Sequence, residues 1–295
     1  MMLVLLLAAV SMQSPPPADF WSYWGDGKAE VSTYKTVTSR YGEPRDGTSI
    51  LIFVTEDFSR RARVKAESDA TPKSDRVPVL KMNRLVKFVT GVYDYSVMTS
   101  VFSAVARELD HAPFQPLKIS FSAQEWCGHV FQMLLPERKS VDLTVHSYFE
   151  SEHDQRNTYA LPQNFAFEDN LPIWIRELNG EVLKLNDRGE IALFPSAWQT
   201  RVLHQEPAFA AATIVKEDGE TMTVLGNSTA TWRITWHVGD RTETYWTEQA
   251  YPHRIVRWLS SDGGSGELKS TTRIAYWQMK RAADAPEREK LGLPR

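Results

Sequence analysis

Thr231-Trp232-Arg233-Ile234-Thr235-Trp236-His237-Val238 is the stretch that decides the fold. Trp232, Ile234, Trp236 and Val238 take alternate positions, with Thr231, Arg233, Thr235 and His237 between them. A period of two sends successive side chains to opposite sides of an extended chain, so the stretch reads as a strand with one large apolar face. Gly226-Asn227 precedes it and Gly239-Asp240 follows it, both turn-forming pairs. An antiparallel sheet is expected.

Working outward, the same pattern recurs over 190–204, 209–216, 221–225, 242–248, 253–259 and 267–280, with turns at Asp218-Gly219 and within 262–266. This predicts a β meander over residues 187–281. A curved sheet lined by Trp232, Trp236, Trp246 and Trp258 would wall a cavity for a lipid or other apolar or amphiphilic ligand, and these four are candidate ligand-binding residues. In a β sandwich the same rings would fill the core. Arg233, Arg241, Arg254 and Arg257 are expected on a solvated face. Residues 282–295 are charged and read as a flexible tail.

Upstream, residues 20–155 form an N-terminal β segment. Strands are expected over 28–41, 48–56, 79–90, 93–105, 117–135 and 141–150, with connections at 43–47, Gly91 and Pro136-Glu137-Arg138. In the connection 156–186, Leu171, Trp174, Ile175 and Leu178 recur at helical spacing. Asn170 suits the N-cap, Pro172 the first turn and Asn179-Gly180 the end. That short helix marks a boundary between two β segments or plugs the open end of a barrel. The fold class is all-β, a mainly antiparallel curved sheet of half-barrel or barrel-like form with one short helix.

With 295 residues, 42% of them hydrophobic, the chain can bury a sizeable core. A net charge of -3 and a pI near 6.2 give no broad positive field, which argues against nucleic acid as a partner. Residues 1–10 are apolar, and Ser11-Met12-Gln13-Ser14 and three prolines follow. This is the pattern of a signal peptide over 1–14, implying export to the periplasm or beyond in a bacterium. The run is too short to span a bilayer, so no transmembrane segment is expected after cleavage.

The single cysteine lies in Gln124-Glu125-Trp126-Cys127-Gly128-His129. It cannot form an internal disulfide, so it is buried, ligated, reactive or paired between chains. Leu117, Ile119, Phe121 and Ala123 share one side of the preceding strand, and unbroken alternation would add Glu125, Cys127, His129 and Phe131 to that inward side. His146 and Glu150 share a face of the next strand. Cys127, His129 and His146 are thus candidate ligands for a zinc-like metal. Alternatively, Cys127 is a nucleophile with His129 or His146 as base, and Glu125 or Glu150 serves as acid/base. A bulge at Gly128 would re-aim His129. Against both chemistries stands a purely structural cysteine, with no cofactor.

Tyr41-Gly42-Glu43-Pro44-Arg45, Leu51-Ile52-Phe53-Val54-Thr55-Glu56, Thr90-Gly91-Val92-Tyr93, Glu125-Trp126-Cys127-Gly128-His129 and His146-Ser147-Tyr148-Phe149-Glu150 together resemble an uncharacterised family of exported bacterial proteins. The resemblance covers roughly residues 24 to 205 and implies no activity. Some members are labelled septum formation inhibitor Maf; of the Maf Ser-x-Arg-Arg loop this chain has only Ser59-Arg60-Arg61. The rhythm of Tyr245-Trp246 and 253–258 is similar to periplasmic lipoprotein carriers, which implies a half-closed sheet around an apolar cavity. The functional expectation is a non-enzymatic binder or carrier of such a ligand, with a metal- or thiol-dependent hydrolase as the alternative.

Overall fold

The computed structural model describes residues 18–178, 180 and 183–293. The expected signal peptide and Asn179 lie outside them. The chain runs α1 (Ala18–Trp24), β1 (Ala29–Arg40), β2 (Glu43–Ser59), β3 (Val64–Lys65), β4 (Arg76–Thr90), β5 (Tyr93–Ala104), β6 (Pro116–Glu125), β7 (Gly128–Pro136), β8 (Ser140–Ser147) and β9 (Gln155–Ala160). Then come β10 (Phe165–Phe167), α2 (Leu171–Trp174), β11 (Arg188–Phe194), α3 (Ala197–Leu203) and β12 (Ala210–Asp218). The rest is β13 (Met222–Val224), β14 (Asn227–Thr229), β15 (Thr231–Val238), β16 (Arg241–Glu248), β17 (Ile255–Ser260), β18 (Ser265–Ile274) and α4 (Glu287–Lys290).

Among the described residues, sixteen strands form one curved, unclosed sheet. Its order is β10-β11-β12-β15-β16-β17-β18-β1-β2-β4-β5-β6-β7-β8-β9, with β3 attached to β2. Only β10 and β11 pair in parallel. The strands at the two edges, β9 and β10, are consecutive in the chain. The expected N- and C-terminal β segments belong to this one sheet, joined where Ala29 pairs with Ile274 and Val37 with Ser265. β13 and β14 form a separate hairpin.

Local chemistry explains where expectation and structure part. The β1–β2 turn is Tyr41-Gly42, both with positive φ (57° and 73°), and residues 43–47 belong to the ladder. Residues 117–135 are a hairpin, not one strand, because Trp126-Cys127 turn the chain between β6 and β7. Residues 190–204 are β11 followed by α3, whose cap is Ser196: its Oγ accepts the Gln199 N–H at 3.2 Å. Phe20, Trp21, Tyr23 and Trp24, at the start of the expected N-terminal β segment, lie in helix α1. Near the end of the tail the Leu291 carbonyl accepts from Thr33 Oγ1 at 2.7 Å and the Lys290 carbonyl from Ser270 Oγ at 3.1 Å.

The expected helix of 171–178 is one α-turn, preceded by a 3-10 turn over Glu168–Asn170. It lies inside the sheet's curve, where Leu171 and Ile173 join Phe53, Met82, Ile119 and Trp236 in the main apolar cluster. Pro172 does sit in its first turn. Asn170 holds the N-cap position, but its side chain bonds elsewhere: its Oδ1 accepts from Ser103 Oγ at 2.7 Å and its Nδ2 donates to the Phe114 carbonyl at 2.9 Å. Two buried ion pairs tie the following residues to the wall. Arg176 donates to both oxygens of Glu30 (2.9 and 3.0 Å), and Lys216 to both of Glu177 (2.9 Å each).

Candidate functional site

The central motif is divided by its turn. Glu125, at the end of β6, points inward with its side chain buried; its Oε1 lies 3.8 Å from Arg201 Nη2 and its Oε2 accepts the Cys127 N–H at 2.7 Å. Cys127 sits in the turn and is exposed. His129 is exposed and pairs with Gln124 on the outer face, so the inward expectation for Cys127 and His129 is corrected. Gly128 is required by a close approach: a Cβ there would fall 2.7 Å from the Tyr148 ring.

Hydrogen bonding and charge from Glu125 push the Cys127 thiol up, away from the thiolate a nucleophile needs. His146 lies on the outer face with Nδ1 at 3.3 Å from Asp154, stacked beside Phe131, and Glu150 is exposed. Among the described residues, no three His, Cys, Asp or Glu side chains are grouped to hold a metal ion.

A different site forms inside the rim, the end of the sheet bearing the turns at 41–42, 91–92, 126–127 and 239–240. There a cavity of about 110 Å3 opens between the inner faces of β15–β17 and those of β1, β4 and β5. One wall is a continuous aromatic stack. Trp236 and Tyr245 have centroids 4.9 Å apart at 21°, and Tyr245 and Trp258 are 5.9 Å apart at 17°. Alternation along β15 and β16 sends these rings inward, and Gly266 lets Trp258 lie flat, since a Cβ there would be 2.1 Å from the indole. The facing wall carries Thr36, Met82, Arg84 and Thr99, with the Arg84 guanidinium 5.3 Å from the Trp258 centroid. Trp198 of α3 closes one side.

Of the four expected ligand-binding tryptophans, Trp236 and Trp258 line this cavity. Trp232 packs at the opposite end, its ring 3.6 Å from Lys216 Nζ and 4.9 Å from the His253 ring. Trp246 faces the other side of the sheet, beneath Arg257.

The polar lining was not anticipated. Arg241, expected on a solvated face, donates inward to Glu168 at 2.6 Å and Glu243 at 2.8 Å. Glu168 also accepts the Ser196 N–H at 2.9 Å, and Asp169 the Ala197 N–H at 2.9 Å, so both carboxylates anchor the start of α3. Burial pushes Asp169 up to about 7, with the charge of Glu168 adding to it against the Ala197 N–H and Arg84. Burial likewise raises Glu243 to about 7, against a 2.7 Å hydrogen bond from Ser260 and the charge of Arg241. Alternation over Arg241-Thr242-Glu243-Thr244-Tyr245 puts Arg241 and Glu243 on the face of Tyr245, a signal that the sequence carries.

Three polar atoms of the lining are buried without a hydrogen-bond partner among the described residues: Thr36 Oγ1, Arg84 Nε and Trp236 Nε1. Thr36 is 3% exposed and Trp236 2%.

No family model and no curated protein matches the chain. Among solved structures it is similar to a beta-barrel-like protein of domain of unknown function DUF1849 from Brucella abortus. The identity is 10%, the match covers 83% of this chain and 98% of the other, and the TM-score is 0.48.

Proposed function

We propose that this protein is a non-enzymatic binding protein of the bacterial envelope that holds a small amphiphilic molecule in the rim cavity. The observation that carries this reading is the Trp236–Tyr245–Trp258 stack that lines the cavity beside Arg84, Arg241 and Glu243. An aromatic wall with a few placed polar groups is the usual make-up of a ligand site. A volume of about 110 Å3 takes a small ring or head group rather than an acyl chain. The envelope location rests on the signal-peptide pattern of residues 1–14. Native mass spectrometry of the protein taken from its own envelope fraction tests the reading. A stoichiometric adduct that disappears in Trp236→Ala is expected; a bare chain whose tryptophan emission ignores every added amphiphile would refute it.

A hydrolytic reading is favoured by one observation, the two carboxyls raised to about 7 beside the same cavity. Groups that titrate near neutral pH suit general acid/base work. Turnover of a bound ligand that is lost in Glu243→Gln, with binding retained, would move the assignment to an enzyme.

A further inference from the structure

We infer that the protein rests on the surface of a lipid bilayer through the tips of three neighbouring hairpins at the rim, Tyr41-Gly42, Gly91-Val92 and Trp126-Cys127, with Tyr148 beside them. This goes beyond the cavity reading and does not depend on it. The hairpins β1–β2, β4–β5 and β6–β7 stand side by side in the sheet, and the β8–β9 connection that carries Tyr148 comes next. Short hairpin turns are ordinarily built from Gly, Asn, Asp or Ser. Here Val92 is 81% exposed, Tyr148 74%, Trp126 73% and Tyr41 58%, and none of the six turn residues is charged.

These side chains are held in place by the layer beneath. The Tyr148 ring packs on Gly128, where a Cβ would fall 2.7 Å from it, and Trp126 lies 6.5 Å from the Tyr93 ring, centroid to centroid. The Tyr41 hydroxyl accepts from Tyr93 at 3.1 Å and lies 3.0 Å from that of Tyr95. Turns elsewhere differ: Gly239-Asp240 and Asp262-Gly263 on the same rim are acidic, and at the opposite end Arg63 pairs with Glu137 beside Arg138 and Lys139. The apolar tips are thus confined to one arc.

Their size and chemistry select the occupant. With strands about 4.8 Å apart, the tips form a strip roughly 25 Å long and about 10 Å wide, on the order of 250 Å2. A stable protein partner or a second copy needs about 800 Å2 per side. A bilayer needs only a few rings at headgroup depth, where Trp and Tyr place an apolar body beside a polar edge. Charge begins just below the tips with both signs, at Arg40, Glu43 and Asp94, which matches a zwitterionic headgroup layer.

The test is sedimentation of the full chain with vesicles of phosphatidylcholine, alone or mixed with phosphatidylglycerol. Cys127, the single cysteine, is exposed and takes an environment-sensitive fluorophore at the tip itself. Co-sedimentation with both vesicles, little changed by salt, is expected, together with a blue shift of the label and its quenching by lipids brominated on the acyl chain. The same label on the Cys127→Ser, Arg138→Cys variant, at the opposite end, should not shift. The Val92→Ser, Trp126→Ser variant changes two solvent-facing turn positions, so its circular dichroism should match the native protein. Its partitioning should fall about tenfold for each side chain withdrawn, the scale of burying one such group. A chain that stays in the supernatant with every vesicle overturns the inference. So does a dimer in solution that the same two substitutions dissolve, which would give the patch to a second copy. Sedimentation unaltered in that variant with an unshifted label at Cys127, the pattern expected if the apolar residues 1–10 did the binding, places the contact elsewhere and overturns the site. Each of these outcomes leaves the cavity reading to its own test by mass spectrometry.

Discussion

Gly266 and Trp258 show how a single position shapes the cavity. A Cβ at 266 would be 2.1 Å from the Trp258 indole, and that ring is wedged between Tyr34 and Tyr245, with centroids at 4.8 and 5.9 Å. Gly266→Ala should therefore cost about 1–3 kcal/mol, the range of overpacked cores, and urea denaturation would measure it. The Arg176–Glu30 pair makes a second residue-scale case. Both side chains are essentially out of water, Tyr23 donates to Glu30 at 2.8 Å, and the guanidinium lies 4.5 Å from the Phe53 centroid. Arg176→Met alone should cost about 3–5 kcal/mol by stranding a buried carboxylate, and adding Glu30→Leu should restore most of it. At this scale alternation made Glu125 legible as inward but misled at Cys127 and His129. The two-residue turn at Trp126-Cys127 contains none of the Gly, Asn or Asp that usually announce one.

Among the elements, α3 ties the cavity to its surroundings. Ser196 caps it, Glu168 and Asp169 accept its first N–H groups, and Trp198 projects from it to pack against Phe88 and Tyr95 at 6.1 and 6.2 Å. Ser196→Ala should lower stability by about 1 kcal/mol, read from the denaturation midpoint, because the Gln199 N–H loses its acceptor. The helix was hidden in the sequence because apolar residues continue from β11 into it; Pro195-Ser196 was the overlooked break. The pair β4–β5 was legible because one face is apolar and its turn carries Gly91, and β15 because Trp232, Ile234, Trp236 and Val238 alternate along it. α2 was legible in its spacing but not in its length. Glu177 takes a positive φ of 52°, which ends helical backbone there, and no residue pattern announces it.

The molecule as a whole should respond to pH through its cavity. Asp169 and Glu243 sit at about 7 in the fold, above the usual carboxylate range. Between about pH 4 and 7 the folded chain holds protons that the unfolded chain has released. Their contribution to stability is therefore complete at the acid end of that window and is lost as pH rises through 7. Urea midpoints should fall across that window for the native protein and fall less for the Asp169→Asn, Glu243→Gln double variant. The sheet also has a property that lies in its wiring. The chain enters at β1, in the middle of the sheet, lays strands to one edge at β9, starts again at the other edge with β10 and returns to close against β1. Pairing Ala29 with Ile274 thus demands a loop of nearly the whole polypeptide. A circular permutant that starts at residue 165, bridges 293 to 18 with a flexible tether and stops at residue 160 would write the strands from one edge to the other in order. Its relative contact order drops, and stopped-flow refolding should show it reaching the native state faster than the natural order does.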